Sequence, residues 1–196
     1  MAEGNFAATL VMHPPDPAGQ VALRSFVAAL ALFDALVAAT GRADSFSLKW
    51  PNDVLLNGGK LAGILLESSA LAQGVAYLAV GIGVNLAQAP DIADVEPGAL
   101  RPVSLLAQTG VTIRPLEFLD LLAPAYAAWE NRLTTAGFAP VRTAWLARAA
   151  RLGQDIKART GTAGYSGRFE TIDAQGAMVL VTEAGRVSLP AADVFF

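Results

Sequence analysis

KWPNDVLLNGGKLAGILLE, residues 49–67, contains two apolar segments on either side of an Asn-Gly-Gly turn. Asn57 and Gly58 both tolerate positive φ, so this pair is a strong hairpin signal. Four polar side chains interrupt the apolar stretch, namely Lys49, Asn52, Asp53 and Lys60. The stretch predicts a buried hairpin that carries two ammonium groups, an amide and a carboxylate, and buried polar groups of this kind require partners.

Strand alternation indicates which of these side chains can meet. Residues i and i+2 of a strand face the same side, which predicts Lys60 and Ile64 on one face and Gly63 on the other. Lys60 then projects beside a strand that carries Asn52 and Asp53, and this combination is a plausible anion site. Each of these residues taken singly is better explained by structure, as a lysine at a strand edge or as turn chemistry. Gly63 leaves room for a ligand near the backbone.

GIGVN, residues 81–85, is a second candidate segment. Gly81 and Gly83 would let the backbone pass close to a ligand, and Asn85 follows at the end of the predicted strand. The dinucleotide pattern GxGxxG, the P-loop pattern GxxxxGK[ST] and the nucleophile pattern GxSxG are all absent. The residues alone therefore predict an α/β domain with a lysine-bearing pocket for an anionic ligand.

The composition excludes several classes of protein. The chain has 196 residues, 54% hydrophobic and 16% charged, and a net charge of −3, which argues against a nucleic-acid binder. Without cysteine there are no disulfides, zinc–thiolate sites or cysteine nucleophiles, and the single His13 cannot form a histidine metal cluster. The most apolar stretch, residues 26–39, is too short to span a bilayer and contains Asp34. We expect a cytoplasmic protein that binds neither membrane nor nucleic acid.

Hydrophobic periodicity predicts an α/β (α+β) fold with two domains, 1–152 and 153–196. The region after Gly153 consists of short apolar runs separated by DAQG and EAG turns. It predicts a small SH3-like β-barrel that docks on the first domain, because so small a core is marginal alone. The long segment 88–102 predicts a binding loop or lid, with Asp91, Asp94 and Glu96 solvated. Predicted helices cover 18–39, 115–135 and 139–152. Predicted strands cover 5–12, 60–69 and 75–87, and another begins with SFSLKW at residue 45.

These motifs resemble the catalytic domain of biotin protein ligases. KWPND followed by KLAGIL and a glutamate is similar to that family's signature almost letter for letter, and GIGVN resembles its G-x-G-x-N segment. GNFAATLVM and VSLLAQTG resemble neighbouring segments, and the similarity extends from residue 4 to residue 196. The resemblance implies the class II synthetase-like biotin/lipoate ligase fold, a mixed sheet with packed helices, followed by an SH3-like β-barrel.

The resemblance also implies an activity. Such ligases condense biotin with ATP to biotinyl-5′-AMP, releasing pyrophosphate, and then acylate a lysine of a biotin carboxyl carrier protein, such as that of acetyl-CoA carboxylase. Magnesium accompanies the phosphates. By position, Lys60 contacts the biotin carboxylate and the α-phosphate, and Asp53 helps the acceptor lysine lose its proton. The implied binding residues are Lys49, Asn52, Gly63, Ile64, Gly83 and Asn85. The resemblance implies that Asn85 lies beside the phosphates and Mg²⁺. It leaves open whether Lys49 has a direct or a structural role.

The chain departs from the family pattern at its start. The family's GRGRRGR loop lies upstream of the segment matched by GNFAATLVM, whereas this chain begins just before Gly4. We expect a mis-set start codon or a truncation rather than a degenerate gene, and weak or no activity from the 196-residue form. Two other functions stay open: a catalytically impaired fragment that only binds carrier protein or nucleotide, and a lipoate or octanoate ligase. A homodimer is possible through an exposed sheet edge or face.

Overall fold

The first layer of the fold is a five-stranded sheet. A computed structural model describes residues 3–70, 75–94 and 99–196. The strands of this sheet are β1 (Phe6–Met12), β2 (Phe46–Lys49), β3 (Asp53–Leu56), β4 (Gly59–Ala70) and β5 (Val75–Val84). They lie in the order β1-β5-β4-β3-β2, and every ladder between them is antiparallel.

Helices cover one face of this sheet. They are α1 (Ala18–Val21), α2 (Arg24–Thr40), α3 (Leu105–Thr109), α4 (Pro115–Ala136) and α5 (Phe138–Leu146), with 3₁₀ turns at Ala43–Ser45 and Ile92–Asp94. Helix α2 contacts four strands, α4 and α5, so it is buried along most of its length. By length and composition alone Gly19–Thr40 could cross a membrane, but 72% of its apolar window is buried inside the protein. It is the core helix that the sequence predicts, with a short break between α1 and α2.

The second sheet is built from the end of the chain. Its strands are β6 (Asp155–Arg159), β7 (Gly164–Ile172), β8 (Met178–Thr182), β9 (Gly185–Leu189) and β10 (Asp193–Phe195). They form an antiparallel sheet in the order β10-β6-β7-β8-β9. The predicted run of short strands after Gly153 is therefore confirmed, and the sheet is consistent with an SH3-like domain. The division into domains 1–152 and 153–196 stays a prediction.

Three details differ from the sequence prediction. The predicted mixed sheet is antiparallel in its named ladders, and short turns explain this for β2 with β3 and for β3 with β4. Parallel pairing among the described residues is limited to two isolated bridges. The last helix ends at Leu146 rather than at 152, since Arg148 and Ala150 form backbone hydrogen bonds with Leu48 on the edge strand β2. The predicted loop 88–102 contains a 3₁₀ turn, and Glu96, with the rest of 95–98, lies outside the described residues.

Candidate active site

A β-bulge sets the direction of the Lys60 side chain. Leu55 pairs with Lys60 whereas Val54 pairs with Ala62, so Leu61 is an extra residue on β4. A bulge changes which side of the sheet the flanking side chains occupy. A Cβ built on Gly63 would lie 3.7 Å from Lys60 Cε and 3.8 Å from Lys60 Nζ. Lys60 and Gly63 therefore approach one another on the same side, and the prediction that they occupy opposite faces is wrong.

Two lysines converge on the carboxylate of Asp53. Lys60 Nζ lies 2.7 Å from Asp53 Oδ1, and Lys49 Nζ lies 3.4 Å from Asp53 Oδ2. The Asp53 side chain is only 8% exposed, Lys49 is 11% exposed and Lys60 is 46% exposed. Two ammonium groups and one carboxylate leave a net positive charge, and the nearby carboxylate of Asp193 is paired with Arg159 at 3.2 Å, so the cluster favours an anionic ligand.

The contact between Lys60 and Asp53 is a close ion pair without an aligned hydrogen bond. Asp53 Oδ1 is buried and has no hydrogen-bond partner of adequate geometry within the described part of the chain, although Lys60 Nζ is 2.7 Å away. The short separation still pairs the two charges, because Coulomb attraction does not depend on the angle at the oxygen. The Lys60 ammonium can consequently direct its protons to a ligand while it stays near Asp53.

Asn52 fastens the turn between β2 and β3 to strand β4. Its Nδ2 donates to the Ile64 carbonyl at 2.7 Å, and the Ile64 amide donates to the Asn52 carbonyl at 2.9 Å. Ser25 Oγ also donates to the Pro51 carbonyl at 3.1 Å, and the Trp50–Pro51 peptide bond is cis. The Ile64 side chain is 3% exposed within the apolar core. Ile64 therefore reaches this region through its backbone, and its role in ligand binding stays a prediction.

The polar cluster borders a cavity of about 340 Å³ that both sheets enclose. Four of the predicted site residues line it, namely Lys49, Asn52, Asp53 and Lys60. The others are Pro51, Ala99, Leu100 and residues 192–195 around strand β10. Sequence reasoning missed these lining residues, because most of them are apolar and resemble core residues, and Asp193 resembles an ordinary exposed acid that pairs with Arg159. Only the docking of the second sheet brings them beside Lys60.

Small residues extend the site across the sheet. Asp53 pairs with Gly63, Gly63 pairs with Gly83, and Gly83 pairs with Ala7, so the four residues form one row across the strands. Residues directly opposite one another in a ladder share a face. This row leaves an open strip of backbone beside the Lys60 ammonium. Gly63 thus lies beside the charged cluster, and Gly83 is the next position along the row. That either glycine contacts a ligand stays a prediction.

Asn85 is not among the residues that line this cavity. Its Nδ2 donates to the Val103 carbonyl at 3.1 Å, and its backbone bonds to Leu61 and Leu105. Asn85 thereby ties the segment before α3 to the bulge. Within residues 3–70, 75–94 and 99–196 no three His, Cys, Asp or Glu side chains are grouped to hold a metal ion. The amide oxygen of Asn85 could supply one ligand, so any magnesium here would need most of its ligands from substrate phosphates and water.

Comparisons with known proteins show which protein family this chain resembles. The model of the Biotin/lipoate A/B protein ligase family matches residues 2–85, and that of the Biotin protein ligase C terminal domain matches residues 152–196. The chain is 62% identical over 196 residues to the Biotin--[acetyl-CoA-carboxylase] ligase of Paracoccus denitrificans, covering 100% of this chain and 82% of that protein.

Solved structures support the same assignment of the fold. Biotin protein ligase from Aquifex aeolicus superimposes with a TM-score of 0.83 at 23% identity, over 98% of this chain and 82% of that one. The same ligase in complex with biotin and ATP superimposes with a TM-score of 0.79 at 24% identity, over 98% of this chain and 78% of that one. The resemblance that residues 49–67 and 81–85 carry is confirmed, and the chain belongs to the biotin protein ligase family.

Proposed function

We propose that this protein is an ATP-dependent biotin protein ligase that forms biotinyl-5′-AMP and transfers biotin to a lysine of the carrier protein of acetyl-CoA carboxylase. The observation that carries this proposal is the net-positive cluster of Lys60, Lys49 and Asp53 beside the open glycine row. A cation pair held by one carboxylate suits a reaction that joins two anions. The 62% identity to the Paracoccus denitrificans ligase supports the same chemistry.

In the first step a carboxylate oxygen of biotin attacks the α-phosphorus of ATP. The new bond joins that oxygen to phosphorus, and the bond from the α-phosphorus to the oxygen that bridges to the β-phosphate breaks, which releases pyrophosphate. The attacking and attacked groups are both negative, so their approach is opposed by charge. Lys60 lowers this barrier because its ammonium can contact the carboxylate and the phosphate together, and Lys49 contributes a second positive charge.

In the second step the amine of the carrier lysine attacks the acyl carbon of the adenylate. An amide bond forms, the bond from the acyl carbon to the phosphate oxygen breaks, and AMP leaves. The attacking amine must lose a proton, and Asp53 is the carboxylate that borders the cavity beside Lys60. We propose that the Asp53 carboxylate accepts the proton from the amine and releases it to water that enters the cavity after the product leaves.

We propose that magnesium binds together with ATP, through the phosphates. The described residues offer no protein cage for the ion, and Mg²⁺ commonly binds through substrate phosphates and a few protein oxygens. We propose that Asn85 contributes its amide oxygen where the phosphates pass the end of β5.

Self-association through β1, the edge strand of the first sheet, is a further proposal because an unpaired strand edge can add a second chain.

Transfer of labelled biotin to a purified carrier domain tests the function. We expect label on the carrier only when ATP and magnesium are present, and pyrophosphate released in proportion. Excess unlabelled biotin should abolish the signal, whereas lipoate and octanoate should leave it unchanged. A form extended by the upstream in-frame codons is assayed beside the chain. Absence of labelled carrier from both forms, or preferential transfer of lipoate, would overturn the proposal.

Replacing Gly63 by valine tests whether the glycine row forms the floor of the biotin site. A Cβ at this position meets Lys60 and Asp53 only at 3.7 Å or more, so the fold tolerates it. The γ-methyl groups, however, would fill the strip beside Lys60. We expect the KM for biotin to rise about tenfold or more, since a misplacement of about 1 Å can already cost this much in reactivity.

The matched control for Gly63→Val is Ala79→Val, which adds the same branched side chain to the neighbouring strand β5. Ala79 pairs with Glu67, four residues further along β4 than Gly63. Its KM for biotin should stay within about twofold of the unmodified chain, because surface substitutions away from special features are usually nearly neutral. Equal effects of the two variants would remove the glycine row from the site.

A further inference from the structure

Trp50 links the site to the second sheet. It lies in the site segment between Lys49 and Asn52, and only 3% of its surface is exposed. Its indole Nε1 donates a hydrogen bond to the Gly176 carbonyl at 3.1 Å. Gly176 belongs to the turn between β7 and β8, so one hydrogen bond from the site segment reaches the sheet formed by the end of the chain.

The turn that receives this hydrogen bond is itself fixed. Asp173 Oδ1 accepts the amides of Gln175 and Ala177, both at 2.9 Å, and Oδ2 accepts the Ser188 hydroxyl at 2.8 Å. Burial acts to raise the pKa of Asp173, but the hydrogen bonds from Ser188 and the backbone outweigh it and hold this pKa below its usual value. The Gly176 carbonyl is therefore presented by a rigid turn rather than by a loose loop.

The same turn is seated against the start of helix α2. Gly176 has a φ of 87°, and a Cβ there would lie 3.0 Å from Leu23 Cδ2 and from Phe26 Cε2. Ser25, between these two residues, donates to the Pro51 carbonyl in the site turn. The first turn of α2 thus supports both the turn of the second sheet and the turn that carries Asn52.

We infer that Trp50 is a positioning residue, through which the second sheet fixes the turn that holds Asn52 and Asp53 in register with Lys60. This inference rests on the proposed function, and it assigns the docked second sheet a part in the chemistry beyond stability. Few residues connect Trp50 to the site. Trp50 precedes Pro51 and Asn52, and Asn52 is hydrogen-bonded to Ile64 through both its side chain and its backbone. Loss of the indole donor should let this turn shift relative to β4.

The experiment compares Trp50→Phe with Trp129→Phe. Both substitutions keep an aromatic ring and remove one indole donor, because Trp129 Nε1 donates to Asp34 Oδ2 at 2.7 Å within the helical layer. For Trp50→Phe we expect kcat for biotinyl-5′-AMP formation to fall about tenfold at saturating biotin and ATP, with KM changed less. Trp129→Phe should lower Tm by a similar amount and leave kcat within about twofold. Asp173→Asn, which loosens the turn without touching the cavity, should lower kcat in the same direction as Trp50→Phe.

Hydrogen exchange at the Ile64 amide supplies a readout that does not need activity. This amide donates to the Asn52 carbonyl, so its exchange should accelerate at least fivefold in Trp50→Phe and stay unchanged in Trp129→Phe. Unchanged kcat and unchanged exchange in Trp50→Phe overturn the inference, as does an equal loss of kcat in Trp129→Phe. If neither the unmodified chain nor its extended form makes adenylate, the proposed function fails, and the exchange comparison still decides whether Trp50 positions the turn.

Discussion

Lys60→Ala should lower the rate of biotinyl-5′-AMP formation by about 10²–10³-fold, the loss expected when a donor to developing charge is removed. Lys60 lies 2.7 Å from Asp53, lines the cavity and is 46% exposed, so its ammonium can contact an incoming anion. The substitution also leaves Asp53 with only the longer contact to Lys49. Exchange of labelled pyrophosphate into ATP, in the presence of biotin, measures this step alone.

Two further variants serve as controls for Lys60→Ala. The chain contains three lysines, so Lys157 on β6 is the natural control, and Lys157→Ala should keep the exchange rate within about twofold. Lys60→Arg keeps the positive charge but replaces a compact head group by a planar one. It should recover part of the lost rate. An exchange rate in Lys60→Ala close to that of the unmodified chain would remove Lys60 from the reaction.

Asp53→Asn should affect mainly the second step. We expect transfer from preformed biotinyl-5′-AMP to the carrier to fall about 10²–10⁴-fold, which is the usual contribution of a positioned general base. Adenylate formation should fall by about tenfold or less, because both lysines remain. Raising the pH should partly restore transfer, since the acceptor amine then loses its proton to solvent. A single-turnover assay with purified adenylate separates transfer from activation.

The same substitution should also reduce stability. Asp53 is the shared counter-charge of Lys49 and Lys60, and asparagine leaves two neighbouring ammonium groups uncompensated. Removing one partner of a buried pair costs about 3–5 kcal/mol. Because Lys60 is nearly half exposed, we expect a smaller loss of about 2 kcal/mol, or several degrees in Tm. Asp120→Asn, which removes an exposed carboxylate on α4, is the control and should change neither transfer nor Tm. Transfer at the original rate in Asp53→Asn would exclude Asp53 as the base.

The sequence predicts the composition of the site better than its geometry. Lys49, Asn52, Asp53 and Lys60 are recognisable because they are polar residues in an apolar hairpin, and the structure gathers all four around one cavity. The face of Lys60 is not predictable from alternation, since the bulge depends on how two strands pair and not on the order of residues within one.

Contacts between distant segments were the other part that sequence reasoning could not supply. Residues 192–195 enter the cavity wall only because the second sheet docks there. The hydrogen bond from Trp50 to Gly176 depends on the same docking. Such contacts join segments far apart in the chain, and no local pattern in the sequence indicates which segments will meet. The end of the last helix at Leu146 has the same origin, because the chain beyond it pairs with the edge of β2.

The bulge at Leu61 also restricts how this part of the gene can change in length. Because side chains alternate with a period of two, gaining one codon between Lys60 and Gly63 while the bulge persists would point the lysine toward the helices. Losing the bulged residue itself would leave Lys60 and Gly63 two residues apart in a regular strand, so both would keep the same face. Homologous genes should therefore tolerate the loss of codon 61 more readily than a single-codon insertion beside it.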